Sequence, residues 1–233
     1  MWFFRRKPTT PLPAEVHAYQ QAVLADRRTP WRDLHYCVLD LETSGLDPAH
    51  DAILSIGLVE IAAGRIHLDR TWQTHIRPPA GVTVPARSIV VHGLLNTDVA
   101  AAPQLAEVLP TLMHYLTGRI LIVHVAAVDL AFLNRALEQT YGIKLRGWGL
   151  DTARLALTLA EQDRFLHGQS MPTQPIVQLR ALAEQAGLPV FGEHDALNDA
   201  LTTAQLFLAQ ASHLEQRGSP TLGGLLAAGG CLR

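Results

Sequence analysis

Two acidic side chains stand two positions apart at the end of an apolar segment. Asp40 and Glu42 fall at the end of the run Tyr36–Leu41, which predicts a buried β-strand. Because side chains alternate along an extended chain, both carboxylates are expected on one face of the strand. No lysine or arginine is adjacent in sequence, and neighbouring like charges raise each other's pKa unless a cation lies between them. The pair indicates a site for a hard divalent cation; for an isolated pair the alternative is a turn-capping Asp40 and a solvated Glu42.

Three further residues bring the same kind of chemistry. Asp129 begins a predicted helix directly after the apolar strand Ile120–Val125, where an isolated aspartate commonly caps the helix. His194 and Asp199 lie five residues apart on the last predicted helix, with His194 at its end, where the alternative is a simple capping residue. Apolar neighbours around Asp199 make an unpaired carboxylate costly there. Four carboxylates and one histidine together favour hydrolysis of a phosphodiester with two metal ions.

The elements that position these side chains begin with an antiparallel arrangement. Ala63-Gly64 predicts a hairpin turn between the second and third of three strands: Tyr36–Leu41, Ile53–Ile61 and Ile66–Ile76. Helices and strands then alternate: Leu105–Leu116, Ile120–Val125, Asp129–Thr140, Trp148–Leu150, Asp151–Leu159, Val177–Ala186 and His194–Leu214. This order predicts an α/β fold in which helices flank both faces of a mixed five-stranded sheet.

The chain is expected to consist of an extension, one domain and a tail. Residues 1–34 form an N-terminal extension with one helix over residues 14–28. Residues 35–214 form the domain, with a loop over residues 161–175, and residues 215–233 form a Gly-rich tail.

Composition narrows the class of protein. Of 233 residues, 48% are hydrophobic and 17% are charged, which excludes a disordered chain. The net charge of −2 excludes a strongly basic protein that coats duplex nucleic acid. Two distant cysteines offer neither a disulfide framework nor a zinc site. No apolar run has the roughly 20 residues of a membrane span, and no secretory signal is seen, so a cytoplasmic protein is expected.

The motifs resemble those of the DEDDh 3′–5′ exonucleases, a family with the ribonuclease H-like fold typified by the proofreading epsilon subunit of bacterial DNA polymerase III. Three motifs occur in the family's order: Val38–Leu46, Leu121–Leu133 and His194–Asp199. Three connecting segments are also similar: Val91–Leu94, Leu150–Leu155 and Leu179–Gly187. The resemblance covers roughly residues 36–209.

This resemblance implies a role for each motif residue. Four carboxylates would hold two Mg²⁺ or Mn²⁺ ions, with the first of them bridging: Asp40, Glu42, Asp129 and Asp199. His194 would be the general base that takes a proton from the attacking water, a role suited to a side chain that titrates near neutral pH. Three residues would contact the terminal nucleotide of the substrate: Thr43, Leu46 and His92.

The implied function is removal of nucleoside monophosphates from 3′ ends, with single-stranded DNA as the expected substrate and a DNA polymerase as a possible partner. Two alternatives stay open. An RNA-directed exonuclease of the same family would use the same ligands, because contacts to the 2′-hydroxyl decide the sugar. A non-catalytic module that binds a polymerase would keep only the fold. Arginines are expected to supply any phosphate contacts, with four candidates: Arg87, Arg146, Arg154 and Arg164. For each of them the alternative is a solvated charge on the surface.

The second motif departs from the family pattern at two positions. Val125 and Val128 replace the usual asparagine and phenylalanine that precede the aspartate. Both positions lie where family members approach the nucleotide, so binding of the terminal sugar or base is expected to differ. Val125→Asn should tighten substrate binding more than it changes metal affinity.

Overall fold

The fold is given by a computed structural model that describes residues 11–167, 176–192, 194–218 and 220–232. Its strands are β1 (His35–Thr43), β2 (Ile53–Ala62), β3 (Arg65–His75), β4 (Ile120–Val123), β5 (Gly149–Asp151) and β6 (Gly230–Leu232). Its α-helices are α1 (Ala14–Gln21), α2 (Ala86–His92), α3 (Asn96–Ala100), α4 (Leu105–Leu116), α5 (Ala127–Tyr141), α6 (Thr152–His167), α7 (Leu179–Gln185), α8 (Ala196–Gln216) and α9 (Leu222–Gly229).

The strands form one mixed sheet in the order β3-β2-β1-β4-β5-β6. β1 pairs antiparallel with β2 and parallel with β4, so it occupies the middle of the sheet. The prediction of an α/β fold with a mixed sheet is confirmed, but its strand count of five is too low. The sixth strand pairs antiparallel with β5 and comes from the Gly-rich C-terminal segment, where a three-residue strand has too few side chains to show a period.

Alternation along β1 directs its side chains into two separate cores. Cys37, Leu39 and Leu41 pack on the side of α4 and α5. Tyr36 and Val38 pack on the other side, against α6, α8 and α9. Asp40 and Glu42 continue this second row, so both carboxylates point to the α8 side of the sheet near the carboxyl end of the strand.

The terminal segments pack on the domain. The predicted N-terminal helix is present but ends at Gln21, and Val16 and Tyr19 of this helix are buried beside α4. The basic residues that begin the predicted extension lie outside the described residues. At the other end, the segment predicted as a tail contains α9, whose Leu222 and Leu225 are fully buried. The leucines of this Gly-rich segment therefore belong to the core on the α8 side.

Other local predictions have mixed outcomes. Ala63 and Gly64 both have positive φ, 50° and 65°, as the predicted tight hairpin requires. Helix α6 continues to His167, so the first part of the loop predicted over residues 161–175 is helical; residues 168–175 of that prediction lie outside the described residues. The short helices α2 and α3 were not predicted. No helix among the described residues is long and apolar enough to cross a membrane.

Candidate metal centre and active site

The two β1 carboxylates lie in a specific register with the neighbouring strand. Asp40 is paired with Gly57 of β2, and Glu42 with Ser55. The glycine leaves open the space beside Asp40, where the start of α8 packs: a methyl group at position 57 would overlap the backbone of Ala196. The absence of a side chain on β2 thus brings the N-terminus of α8 next to the acidic end of β1.

A compact group of potential metal ligands results. One ligand atom from each of Glu42, His194 and Asp199 lies within 4.8 Å of the other two. Asp40 belongs to the same cluster, since the charges of Asp129, Glu42 and Asp199 all act on its carboxyl group. The structure thus brings together residues from β1, α5, the turn before α8 and α8 itself.

Burial gives these carboxyl groups unusual acidities. Desolvation, with the nearby charges of Asp199 and Asp195, raises the pKa of Glu42 to about 8. Desolvation also raises the pKa of Asp129 to about 8, with smaller contributions from the charges of Asp151 and Glu42. The pKa of Asp40 is raised well above its ordinary value, first by burial and then by Asp129. All three carboxyls therefore favour the neutral form unless positive charge is supplied.

Side chains in the described part of the chain do not supply that charge through an ion pair. Among the ion pairs of the described residues, no arginine, lysine or histidine is paired with Asp40, Glu42 or Asp129. Carboxylate oxygens are the preferred ligands of Mg²⁺ and Mn²⁺, whereas a site with one histidine and no cysteine is poorly suited to softer metals. The donor set and its unbalanced negative charge therefore fit hard divalent cations.

His194 lies in a turn before α8, and the expectation that it sits on the last helix is wrong. Its φ of 60° is in the left-handed region, and its backbone N–H donates to Oδ2 of Asp199 over 2.9 Å. Asp195 then caps the helix, with Oδ1 accepting from the N–H groups of Leu197 and Asn198 at 3.1 and 3.0 Å. Because Asp195 is the N-cap, the helix begins only after it, and the imidazole of His194 is carried by an exposed turn rather than by a helical face.

A second strained turn precedes Asp129. Val125 has a φ of 57°, which is unusual for a β-branched residue. The buried carboxylate of Asp151 holds this turn by accepting the N–H groups of Val125 and Ala126 at 3.1 and 3.0 Å. It also accepts the N–H of Ala153 at 2.9 Å. Asp151 thereby fixes the entry into α5, whose first turn carries Asp129.

His124 ties the same region to the segment before α7. Its Nδ1 lies 2.7 Å from Oγ1 of Thr152, and its Nε2 lies 2.7 Å from the carbonyl oxygen of Val177. Since a carbonyl can only accept, Nε2 carries the proton in the neutral ring and Nδ1 accepts from the threonine. Burial lowers the pKa of His124, which agrees with a neutral ring that serves as a structural link.

The residues expected to contact the terminal nucleotide lie at the end of β1, on the loop after it and at the end of α2. Oγ1 of Thr43 donates to the carbonyl of Gly45 over 2.7 Å, which shapes the loop after β1, and Leu46 on that loop is 78% exposed. His92 ends α2; its Nδ1 accepts the N–H of Leu94, so its neutral ring carries a proton on Nε2. This Nε2 is buried and has no hydrogen-bond partner within the described chain. Burial and the charge of His194 lower the pKa of His92.

A half-open cavity of about 610 Å³ adjoins the cluster. Its lining includes His194 and Asp199 on one side, Val125 at the strained turn, and Leu179 and Arg180 of α7 on the other. This volume is in the range of sites that bind small molecules or cofactors. The exposed side of Val125 faces a space that a ligand can enter.

Two of the predicted phosphate-binding arginines have structural partners. Arg146 donates to the backbone carbonyl of Gln20, which attaches the N-terminal segment. Arg154 donates to the carbonyl of Gly230 over 2.9 Å, which attaches β6. Arg87 is exposed on α2 and Arg164 is half-buried on α6. Sequence reasoning missed these roles because each arginine's partner is distant along the chain.

Sequence reasoning also assigned no role to Asp151, Asp195 or Gly57. Asp195 carries a readable signal, since an aspartate directly before an apolar helical pattern is a common N-cap. Asp151 also stands directly before a helix, where it accepts the N–H of Ala153, but its bonds to Val125 and Ala126 have no local signal. Gly57 carries no signal at all, because its importance depends on a contact with Ala196, which is far away in sequence.

Comparison with known proteins gives the family. The sequence profile of the Exonuclease family, RNase_T, matches residues 37–207, well over half of the chain. A DNA polymerase III subunit epsilon-like protein of Rhodobacter capsulatus is 34% identical over 201 residues; these cover 85% of this chain but only 27% of the relative. The DNA polymerase III subunit epsilon of Aquifex aeolicus is 28% identical over 173 residues, which cover 74% of this chain and 78% of that protein.

Solved nuclease structures share the fold. The nuclease domain of 3′hExo, a DEDDh family member bound to rAMP, superimposes with a TM-score of 0.63 at 17% identity, covering 83% of this chain and 97% of that one. Exonuclease X in complex with 5′ overhanging duplex DNA gives a TM-score of 0.58 at 21% identity, covering 82% and 99%. The family model matches well over half of the chain and these nucleases share its fold, so the chain belongs to the Exonuclease family.

Proposed function

We propose that the protein is a 3′–5′ exonuclease that hydrolyses the terminal phosphodiester of single-stranded DNA and releases nucleoside monophosphates. The observation that carries this proposal is the cluster in which ligand atoms of Glu42, His194 and Asp199 lie within 4.8 Å of one another. Half-buried Asp40 and buried Asp129 complete it, and among the described residues neither is paired with a cationic side chain. This combination of types and burial suits phosphodiester hydrolysis at a pair of divalent ions.

The ions would be held by four carboxylates: Asp40, Glu42, Asp129 and Asp199. When bound, two Mg²⁺ or Mn²⁺ ions stabilise negative charge on the attacking and leaving oxygens of a phosphodiester. Asp40, whose carboxyl group is influenced by all three other carboxylates, would hold the ions together with them. Asp129 reaches the cluster from the first turn of α5 on the opposite side of the sheet.

His194 would act as the general base. The hard ions prefer the carboxylate oxygens, which leaves the imidazole free to take a proton from the attacking water. Its exposed turn lets the ring move toward the water, while the hydrogen bond from its backbone N–H to Asp199 keeps the turn attached to a metal ligand. The proton then leaves through the solvent-accessible side of the turn.

The terminal nucleotide would be held beside the cluster by residues of the first loop and α2. Nε2 of His92 is a buried donor without a partner in the described chain, so an acceptor oxygen of the substrate would satisfy it. Thr43 and exposed Leu46 would contact the terminal sugar and base, and the cavity next to Val125 would accommodate the nucleotide. Leu46 offers an apolar surface for a base to stack on.

A DNA polymerase is the partner that the relatives suggest, since the Aquifex aeolicus protein is itself a polymerase III subunit. The protein would then act in the cytoplasm in proofreading or repair, with the long edge strand β3, whose residues are exposed or half-buried, available for contact. Co-purification with a polymerase catalytic subunit tests this assignment separately from the chemistry.

The experiment for the activity uses 5′-labelled single-stranded oligonucleotides of identical sequence in DNA and RNA form, with Mn²⁺ or Mg²⁺. We expect a ladder that shortens from the 3′ end, monophosphate products and faster loss of DNA. Faster loss of RNA would replace the substrate assignment with an exoribonuclease. A 3′-labelled strand that releases its label as a short oligonucleotide would overturn the exonucleolytic assignment in favour of internal cleavage.

A further inference from the structure

The start of α8 is attached to the sheet by a contact outside the set of metal-binding residues. Nε2 of Gln73, on β3, donates to Oδ2 of Asp195 over 2.9 Å. The other oxygen of the same carboxylate, Oδ1, caps α8 through the N–H groups of Leu197 and Asn198. One side chain therefore both begins the helix and joins it to the edge strand.

The strand register shows why this contact bears on the metal cluster. Asp40 on β1, Gly57 on β2 and Gln73 on β3 are direct neighbours in register and share one face of the sheet. The missing side chain of Gly57 leaves room for the backbone of Ala196 between the other two residues. The first turn of α8 thus lies between a proposed metal ligand and a side-chain amide that holds it in place.

We propose that the clamp formed by Gln73 and Asp195 positions the start of α8 over the carboxylates of β1. Asp195 is adjacent to His194 in sequence and one helical turn before Asp199, so displacement of its carboxylate moves both. Gln73 and Asp195 are positioning residues, because they act on the reacting groups through the backbone of residues 194–199. This inference rests on the proposed function for its catalytic consequence, but the geometry of the clamp is independent of it.

The test compares three variants of the full chain with a matched control. Asp195→Ala removes the cap and the clamp together, whereas Gln73→Ala removes the clamp alone. Asp195→Asn restores both contacts without the charge, since asparagine is as good an N-cap as aspartate and its amide can pair with a reoriented Gln73. Thr221→Ala is the control: Thr221 caps α9 through the N–H of Gly224 in the same manner, away from the acidic cluster.

Three readouts are measured on each variant: Mn²⁺ affinity by calorimetry, kcat and KM on single-stranded DNA, and amide hydrogen exchange over residues 194–199 in the metal-free protein. Asp195→Ala should lower Mn²⁺ affinity or kcat by about 10- to 100-fold, the usual range for residues that orient ligands, with little change in KM. Gln73→Ala should lower them by about fivefold, the equivalent of one hydrogen bond. Both variants should speed amide exchange at His194, whereas Asp195→Asn should leave all three readouts at wild-type values.

Thr221→Ala should lower the Tm while kcat and Mn²⁺ affinity stay at wild-type values. The clamp is refuted if Asp195→Ala matches this control, if Asp195→Asn is as impaired as Asp195→Ala, which would assign the effect to charge, or if Gln73→Ala leaves exchange over residues 194–199 unchanged. A wild-type protein without nuclease activity would refute the proposed function, while the exchange data would still decide the clamp.

Discussion

The backbone N–H of His194 donates a 2.9 Å hydrogen bond to Oδ2 of Asp199, so the proposed base and a proposed metal ligand are coupled through the main chain. The bond requires the left-handed φ of 60° at His194, which directs the N–H toward the helix. A change in the position of Asp199 therefore also moves the turn that carries the imidazole. One short segment, residues 194–199, therefore carries both the proposed base and a proposed metal ligand.

Stability of the metal-free protein should fall as pH rises. The pKa values of Glu42 and Asp129 are raised to about 8, so between pH 5 and pH 8 the folded protein holds protons that the unfolded chain has released. Stabilisation from these protons is complete below the ordinary carboxyl pKa and is lost as pH rises through 8. Each unit of raised pKa corresponds to about 1.4 kcal/mol. Thermal unfolding in a chelator should show a Tm that decreases from pH 5 to pH 8.

Divalent ions should oppose this loss, because they replace protons between the carboxylates. The increase in Tm on adding Mn²⁺ should be larger at pH 8 than at pH 5. A metal-induced increase that is equal at both pH values would mean that the ions bind elsewhere.

Glu42→Gln should raise the stability of the metal-free protein at pH 8 and lower its nuclease activity. A neutral amide of similar shape removes a buried charge, so the metal-free variant should be more stable than wild type at pH 8 and its Tm should depend less on pH. Nuclease activity should fall by at least about a hundredfold, since a proposed metal ligand is lost. Thermal unfolding and the oligonucleotide assay measure the two effects, and a variant that is less stable at pH 8 but fully active would contradict both expectations.

Val125→Asn should increase stability and tighten substrate binding. Asparagine adopts the left-handed conformation at much lower cost than a β-branched residue, so we expect a gain of about 1 kcal/mol in the free energy of unfolding. Its amide also enters the adjoining cavity, which should lower KM without changing Mn²⁺ affinity. Val125→Ala is the control, because it relieves β-branching but adds no polar group. An unchanged KM in the asparagine variant would refute the predicted contact with substrate.

Asp151→Ala should destabilise the protein by about 2–4 kcal/mol, because it leaves three backbone N–H groups at Val125, Ala126 and Ala153 without their acceptor. Asp26→Ala is the comparison: Asp26 also accepts a backbone N–H, from Arg28, but in an exposed turn, and its loss should lower the free energy of unfolding far less than the loss of Asp151. Urea unfolding gives both values. Equal costs for the two variants would show that Asp151 does not hold the turn before α5.

Sequence patterns predict the parts of the fold that depend on local periodicity. Helix α4 has the predicted bounds, Leu105–Leu116, because its apolar residues repeat at helical spacing. The shared face of Asp40 and Glu42 follows from alternation alone. Strand β6 could not be predicted in this way, because its pairing with β5 depends on the packing of α9, which places Leu222 and Leu225 in the core.

The same distinction between local sequence patterns and distant contacts applies to the site. The candidate ligands were found through residue type and motif order, whereas the groups that orient them depend on contacts across the sheet. Gln73 lies on an edge strand 122 residues before its partner Asp195, and nothing in either local sequence indicates the pair. The sequence predicts His194 on the helix because a spacing of five residues to Asp199 fits a helical face nearly as well as a spacing of three or four.

The acidic cluster is proposed to bind divalent ions that are required for removal of nucleotides from 3′ ends. The most direct measurement is degradation of 5′-labelled single-stranded DNA by wild type and by Asp40→Ala, each with Mn²⁺ and with chelator, after both proteins are shown to be folded. We predict a ladder shortening from the 3′ end only for wild type with Mn²⁺. Intact DNA under every condition, or equal degradation by Asp40→Ala, would contradict the account.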